Sequence, residues 1–169
     1  MYAWSNGDVE IIASDIDQES LIMDLTWIIE RYGFEGYKQI SLQSHIENAD
    51  PRKEYLTGTG KVRDLPAKEE EFVHPLFPDG TINKYIKKFG MYRARIMKLP
   101  VKMCMSIHKD RTPRVHIPIV TNSECRMMIH DQTYHLKPGL AYWTDTTKKH
   151  TAFNGGTYPR IHLVGCVKS

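Results

Sequence analysis

Residues 114–145 read RVHIPIVTNSECRMMIHDQTYHLKPGLAYWTD. Four short apolar runs stand out: Val115–Thr121, Cys125–Ile129, Thr133–Leu136 and Leu140–Asp145. Turn formers separate them, namely Thr121-Asn122-Ser123, His130-Asp131-Gln132 and Lys137-Pro138-Gly139. None of the runs is long enough for a helix with a buried stripe, and several alternate with period two, so they are strands. The same grammar extends in both directions. Upstream lie Met91–Leu99 and Lys102–Ile107; downstream, His150–Asn154 and Arg160–Val167, the last two parted by Gly155-Gly156. Eight short strands at about ten-residue spacing predict a β-sandwich or barrel, with a jelly roll as one natural solution.

The first half of the chain has a different rhythm. Leu21, Ile22, Leu25, Ile28, Ile29 and Tyr32 recur at helical spacing, with Asp15 or Asp17 available as a cap and Gly33 after the end. Tyr37–Gln43 reads as extended. Residues 44–78 lose all periodicity, and a long irregular segment in a compact domain often serves as a binding loop or lid. Thr81–Phe89 is a second helix, with Ile82, Tyr85, Ile86 and Phe89 on one face and Gly90 as its stop. The expected architecture is one domain over residues 1–169. Residues 1–90 supply helical and loop support with a substrate lid, and residues 91–169 form the β core.

Composition sets broad limits. At 169 residues, 41% hydrophobic and 25% charged, the chain can bury a real core. A net charge of +3 without a long Lys/Arg run gives no reason to expect nucleic acid. No apolar stretch reaches membrane-spanning length, and the N-terminus does not read as a secretory signal. The three cysteines, Cys104, Cys125 and Cys166, form no CxxC and read as core fillers. A cytoplasmic location is the expectation.

The eight histidines carry the chemical interest. His108-Lys109-Asp110 has the spacing at which two ligands flank one residue at a strand end, as a two-histidine, one-carboxylate metal site requires. Alone the triplet says little. Eight histidines and 20 acids in 169 residues give about one such pair by chance, and His45-Ile46-Glu47 is a second. Position separates the two. Four predicted strands after His108 comes His150, where a jelly roll can bring the chain back. Ten residues later Arg160 opens the apolar strand RIHLVGCV, and an inward guanidinium needs an anion. Its planar fork suits a carboxylate.

These residues, together with YRARIMKLP, HKD, RVHIPIVTN, LKPGLAYWTD, KKHTAFN and RIHLV, resemble the aspartyl/asparaginyl β-hydroxylase-like branch of the 2-oxoglutarate/Fe(II) oxygenases. In order and spacing they look like the small proline and amino-acid hydroxylases. The resemblance covers roughly residues 91–167. It implies a double-stranded β-helix, a jelly-roll, cupin-like fold that is mainly β with N-terminal helices. It implies iron ligands His108, Asp110 and His150, with Arg160 and His116 toward 2-oxoglutarate. It further implies Fe(II), 2-oxoglutarate and O2 as cofactors, ascorbate as a supporting reductant, and hydroxylation of a C–H bond of an amino acid or a peptide side chain. The family's namesake enzymes lack the carboxylate ligand, so Asp110 points to the amino-acid hydroxylase side. Arg114 is assigned to the substrate, with Asn154 and His162 beside it. For Asn154 the alternative is closing the turn before Gly155, and for His162 a hydrogen-bonded place in the core. Arg93 and Arg95 read best as a solvated edge. Two rival functions stay open: a cupin-like metal enzyme without 2-oxoglutarate, and a non-enzymatic binding module.

Overall fold

The computed structural model describes residues 7–34 and 38–169. Tyr37, expected to open an extended run, lies outside them. In chain order the elements are β1 (Val9–Ala13), α1 (Gln18–Tyr32), β2 (Gln39–Ser41), β3 (Gln43–Ser44), α2 (Pro51–Glu54), β4 (His74–Pro75), α3 (Thr81–Lys88) and β5 (Tyr92–Leu99). Then follow β6 (Met103–Cys104), β7 (Arg114–Val120), β8 (Cys125–Ile129), β9 (Gln132–Tyr134), β10 (Ala141–Thr144), β11 (His150–Asn154) and β12 (Arg160–Cys166).

The eight strands expected from the second half are β5 to β12. They alternate between two antiparallel sheets, except that β8 and β9 form a hairpin within one of them. The larger runs β1-β10-β7-β12-β5-β2 and the smaller β6-β11-β8-β9. That order is the double-stranded β-helix. β1 and β2 extend the two edges of the larger sheet, pairing with β10 and β5. Residues 9–13 were not expected to form a strand; VEIIA is short, and its partner lies more than 120 residues away.

Alternation along β5, β7 and β12 divides two environments. Ala94, Ile96, Val115, Ile117, Ile119, Ile161 and Leu163 face outward and are buried beneath Leu21, Leu25 and Ile28 of α1 and Ile82, Tyr85 and Ile86 of α3. Of the two possible caps, Asp17 starts α1, accepting a hydrogen bond from Ser20 N at 3.1 Å. Burying a side chain such as Leu21 contributes about 1.5–3 kcal/mol. The inner face meets the smaller sheet. There Val9, Met127, Ile129, Tyr134, Leu136 and Tyr142 close one part of the interior, and the rest is left to polar side chains.

The segment 44–78 is irregular as expected, holding only β3, α2, β4 and two 3-10 turns, Val62–Asp64 and Glu69–Glu71. Glu69 is nevertheless buried. No helix among the described residues is long and apolar enough to cross a membrane.

Candidate metal centre and cleft

An antiparallel bridge pairs His108 with His150. His108 N donates to His150 O at 3.1 Å and His150 N to His108 O at 2.9 Å. Asp110 N donates to Thr146 O at 2.8 Å, which holds the HKD turn against the chain entering β11. Residues 42 positions apart in sequence therefore meet at one end of the two sheets. One donor atom from each of His108, Asp110 and His150 lies within 4.8 Å of the others. His150 Nε2 stands 3.6 Å from Asp110 Oδ2, and His108 Nε2 stands 4.0 Å from Asp110 Oδ1.

The backbone fixes both rings. His108 Nδ1 is 2.7 Å from Ser106 O and His150 Nδ1 is 3.0 Å from Lys148 O. A carbonyl only accepts, so Nδ1 carries the proton in each ring and Nε2 presents its lone pair to the centre. Burial pushes the His150 imidazole below the usual histidine range, which favours the neutral form a metal needs. His45 and Glu47 do not join this cluster.

Beyond the three residues opens a cleft of about 470 Å³. Arg93, Arg95, Arg114, His116 and Arg160 line it, together with Met97, Met105, Met127, Ala152 and Val164. Arg114 is not free. Its Nε lies 3.3 Å from Asp110 Oδ2, its Nη2 lies 3.4 Å from Glu69 Oε1, and its Nη1 donates to Thr112. Arg93 and Arg95, expected at a solvated edge, are both buried. Arg93 donates to Glu69 Oε1 at 2.5 Å and to the carbonyls of Gly58 and Gly60. Arg95 donates to Gln39 Oε1 at 3.1 Å, and its Nε has no partner.

Arg160 is 4% exposed and its Nε is also unpartnered. Burial pushes both the Arg160 and Arg95 guanidinium groups down to about 10, so each remains a cation at neutral pH. His116 is held well below the histidine range by burial and then by Arg160, so it is neutral.

Two of the expected site residues are not on the cleft wall. Asn154 spends its amide on the turn. Nδ2 donates to Leu99 O and Tyr158 O, and Oδ1 accepts from Gly156 N and Asn122 Nδ2. His162 lies deeper, its Nδ1 3.5 Å from His116 Nδ1 and its Nε2 unpartnered. Of the cysteines, Cys125 and Cys166 are buried as expected, whereas Cys104 is exposed. The residue that sequence reasoning missed is Glu69. It falls in a run of three glutamates with no apolar rhythm, and nothing local marks it as buried.

A double-stranded β-helix with two histidines and a carboxylate at one mouth defines the cupin-like class of metal proteins. Within that class, residues 79–168, more than half of the chain, match the aspartyl/asparaginyl β-hydroxylase family, and the chain belongs to it. It is thus an oxygenase/hydroxylase family member with a cupin-like fold. No curated protein matches the chain in sequence. Similar solved structures include a cupin superfamily protein from Desulfitobacterium hafniense (12% identity, TM-score 0.36, 44% of this chain and 66% of that one). Another is a 2OG-Fe(II) oxygenase family oxidoreductase from Burkholderia pseudomallei (14%, 0.39, 56% and 55%). A third is the non-heme monooxygenase ThoJ in a nickel complex (11%, 0.46, 93% and 70%). The chain spans less than two thirds of the first two proteins' length.

Proposed function

We propose that the protein is a 2-oxoglutarate- and Fe(II)-dependent hydroxylase acting on a C–H bond of an amino acid or of a peptide or protein side chain. One observation carries the reading: the His108, Asp110 and His150 donors converge in the same cleft as the buried, anion-lacking guanidinium of Arg160. The donor set fits Fe(II). Two imidazoles and one carboxylate suit a non-haem ferrous ion and would leave coordination positions for other ligands. With 2-oxoglutarate and O2, the iron supplies oxidising power, giving succinate and CO2 and placing one oxygen atom in the C–H bond.

The chain's own residues do the rest. His108 and His150 are aimed by the Ser106 and Lys148 carbonyls, and Asp110 is steadied by Arg114. Arg160 takes the far carboxylate of 2-oxoglutarate by a bidentate fork. His116, neutral and beside it, offers a hydrogen bond without competing for the charge. The methionine wall excludes water from the reacting carbon. Residues 1–169 act as one domain. The segment 44–78, whose Gly60, Lys61 and Val62 border the cleft, is its lid.

The test is succinate formation from 2-oxoglutarate with Fe(II), together with Mn(II) binding by calorimetry. His150→Ala should abolish both. Arg160→Met should leave Mn(II) binding intact and abolish 2-oxoglutarate turnover. A cupin-like enzyme that does not use 2-oxoglutarate would tolerate Arg160→Met, and a plain binding module would show neither metal binding nor turnover.

A further inference from the structure

The cleft holds more buried positive charge than the carboxylates paired with it answer. Four guanidinium groups line it: Arg93, Arg95, Arg114 and Arg160. Among the described residues, two carboxylates pair with them. Glu69 serves Arg93 and Arg114, and Asp110 serves Arg114 while facing the histidines. His116 and His162 are pushed well below the histidine range by burial, and the Cys166 thiol is pushed up by it, so none supplies an anion. Arg160 is answered by 2-oxoglutarate, and this step rests on the function proposed above. Arg95 is left over. It is 5% exposed, has one neutral partner in Gln39 and keeps an unpartnered Nε. An isolated buried cation is costly unless something pairs with it.

Arg95 and Arg160, neither with a carboxylate partner, rise from separate places on the inner face. Arg95 and His116 flank Val164 on one row of the inner face, being its cross-strand partners on β5 and β7. Arg160 starts four residues away along β12, roughly 13 Å at strand rise. The Arg95 and Arg160 side chains therefore enter the cleft from different rows of the inner face. Gln39 Oε1 ties Arg95 to the lid as well, since it also accepts from Gly60 N at 3.3 Å. Arg114, the residue the sequence assigns to the substrate, is already spent on Asp110 and Glu69.

We propose that Arg95, held by Gln39, is the seat for a carboxylate of the prime substrate, and that the substrate is an acid whose aliphatic body lies along Met97, Met105, Met127, Ala152 and Val164. Methionine side chains adapt to an unbranched or branched aliphatic chain without a fixed shape. The carboxylate arrives either on a free amino or aliphatic acid or on an Asp or Glu side chain of a peptide. The chemistry at Arg95 is the same.

Calorimetry on protein loaded with Mn(II) and 2-oxoglutarate tests this. The probes are the free L-amino acids and straight-chain aliphatic acids, each against its carboxamide, and N-acetylated, amidated Asp and Glu as the peptide arm. At least one acid should bind the wild type about tenfold or more tighter than its amide, the size of a charge-assisted hydrogen bond. Arg95→Gln should erase that preference, and Arg95→Lys should recover part of it. Mn(II) affinity should stay within about threefold, and the Arg95→Gln melting point should not fall, because an unpaired buried charge has been removed. Equal binding of acid and amide, no acid binding at all, or a preference that survives Arg95→Gln each overturns the proposal. Loss of Mn(II) or 2-oxoglutarate binding by the wild type would instead overturn the function on which it rests.

Discussion

Replacing Glu69 with glutamine removes one charge and almost no volume, and the structure makes that charge a hub. Its Oε1 lies 2.5 Å from Arg93 Nη1 and 3.4 Å from Arg114 Nη2, and it also receives the Cys166 thiol at 3.6 Å. All three ion-pair members have side chains under 5% exposed. Breaking a buried ion pair by removing one partner costs about 3–5 kcal/mol, because the other charge stays behind. Both arginines retain neutral acceptors, the Gly58 and Gly60 carbonyls for Arg93 and Thr112 for Arg114, which argues for the low end, about 3 kcal/mol. For a chain of this length that is a fall of roughly 6–12 °C in Tm. A second effect follows at the metal centre. Arg114 divides its charge between Glu69 and Asp110, and without Glu69 it draws on Asp110 alone. Asp110 then becomes a poorer donor, and outer partners of this kind typically alter metal affinity about 10–100-fold. Mn(II) calorimetry on Glu69→Gln should show binding weakened by about tenfold, and Glu69→Asp should recover part of it. A Tm within about 2 °C of wild type together with unchanged Mn(II) affinity would refute this chain of charge from the loop to the metal.

Other expectations concern parts of the fold with separate duties. His116 and His162 are buried and held well below the histidine range, so the unfolded chain takes up protons that the folded one refuses. Stability is therefore present above about pH 6.5 and falls as the pH drops through and below that value, by at most about 1.4 kcal/mol per pH unit for each histidine. Urea midpoints at pH 7.5 and 5.5 measure it, and His162→Asn should flatten the slope. Asn154→Ala orphans several turn groups and should cost about 2–3 kcal/mol while leaving the KM for 2-oxoglutarate unchanged; a raised KM would return Asn154 to the cleft. Gly165→Ala would place a Cβ 2.6 Å from that of Met91 at a register shift in β12, and should destabilise by about 1–3 kcal/mol in thermal melts.

The β core was legible because its information is local. Alternation and turn residues set all eight strands, and β7 shows why. Val115, Ile117 and Ile119 go to the helices, while Arg114, His116 and Pro118 go to the interior. Helices α1 and α3 were legible for the same reason, whereas α2 lies in the segment without periodicity. What could not be read was which charges lie inside. Arg93 and Arg95 alternate with apolar residues as a solvated strand would, and only a partner brought from elsewhere reverses that meaning. Glu69 comes from 24 residues upstream of Arg93, in a segment without periodicity, and Gln39 from an edge strand 56 residues before Arg95. The fates of Asn154 and Arg114 were hidden likewise, since each depends on which neighbour reaches it first.

The same contrast explains why this fold can afford so polar an interior. The helices α1 and α3 bury the outer face of the larger sheet, so the stabilising apolar area does not have to come from the space between the sheets. That space can then hold groups that are expensive until something binds. Arg95 Nε and Arg160 Nε, both on the cleft, are each buried without a partner. Each such atom costs about 1–3 kcal/mol of stability, and a ligand that satisfies it recovers that energy as affinity. Arg93 and Arg114, by contrast, are already answered by Glu69 and Asp110, and these pairs keep the protein folded and the candidate metal ligands in place before any ligand arrives. The partner therefore separates the arginines of this cleft: those with a carboxylate hold the site, and those without one are, in the function proposed above, the seats for its ligands.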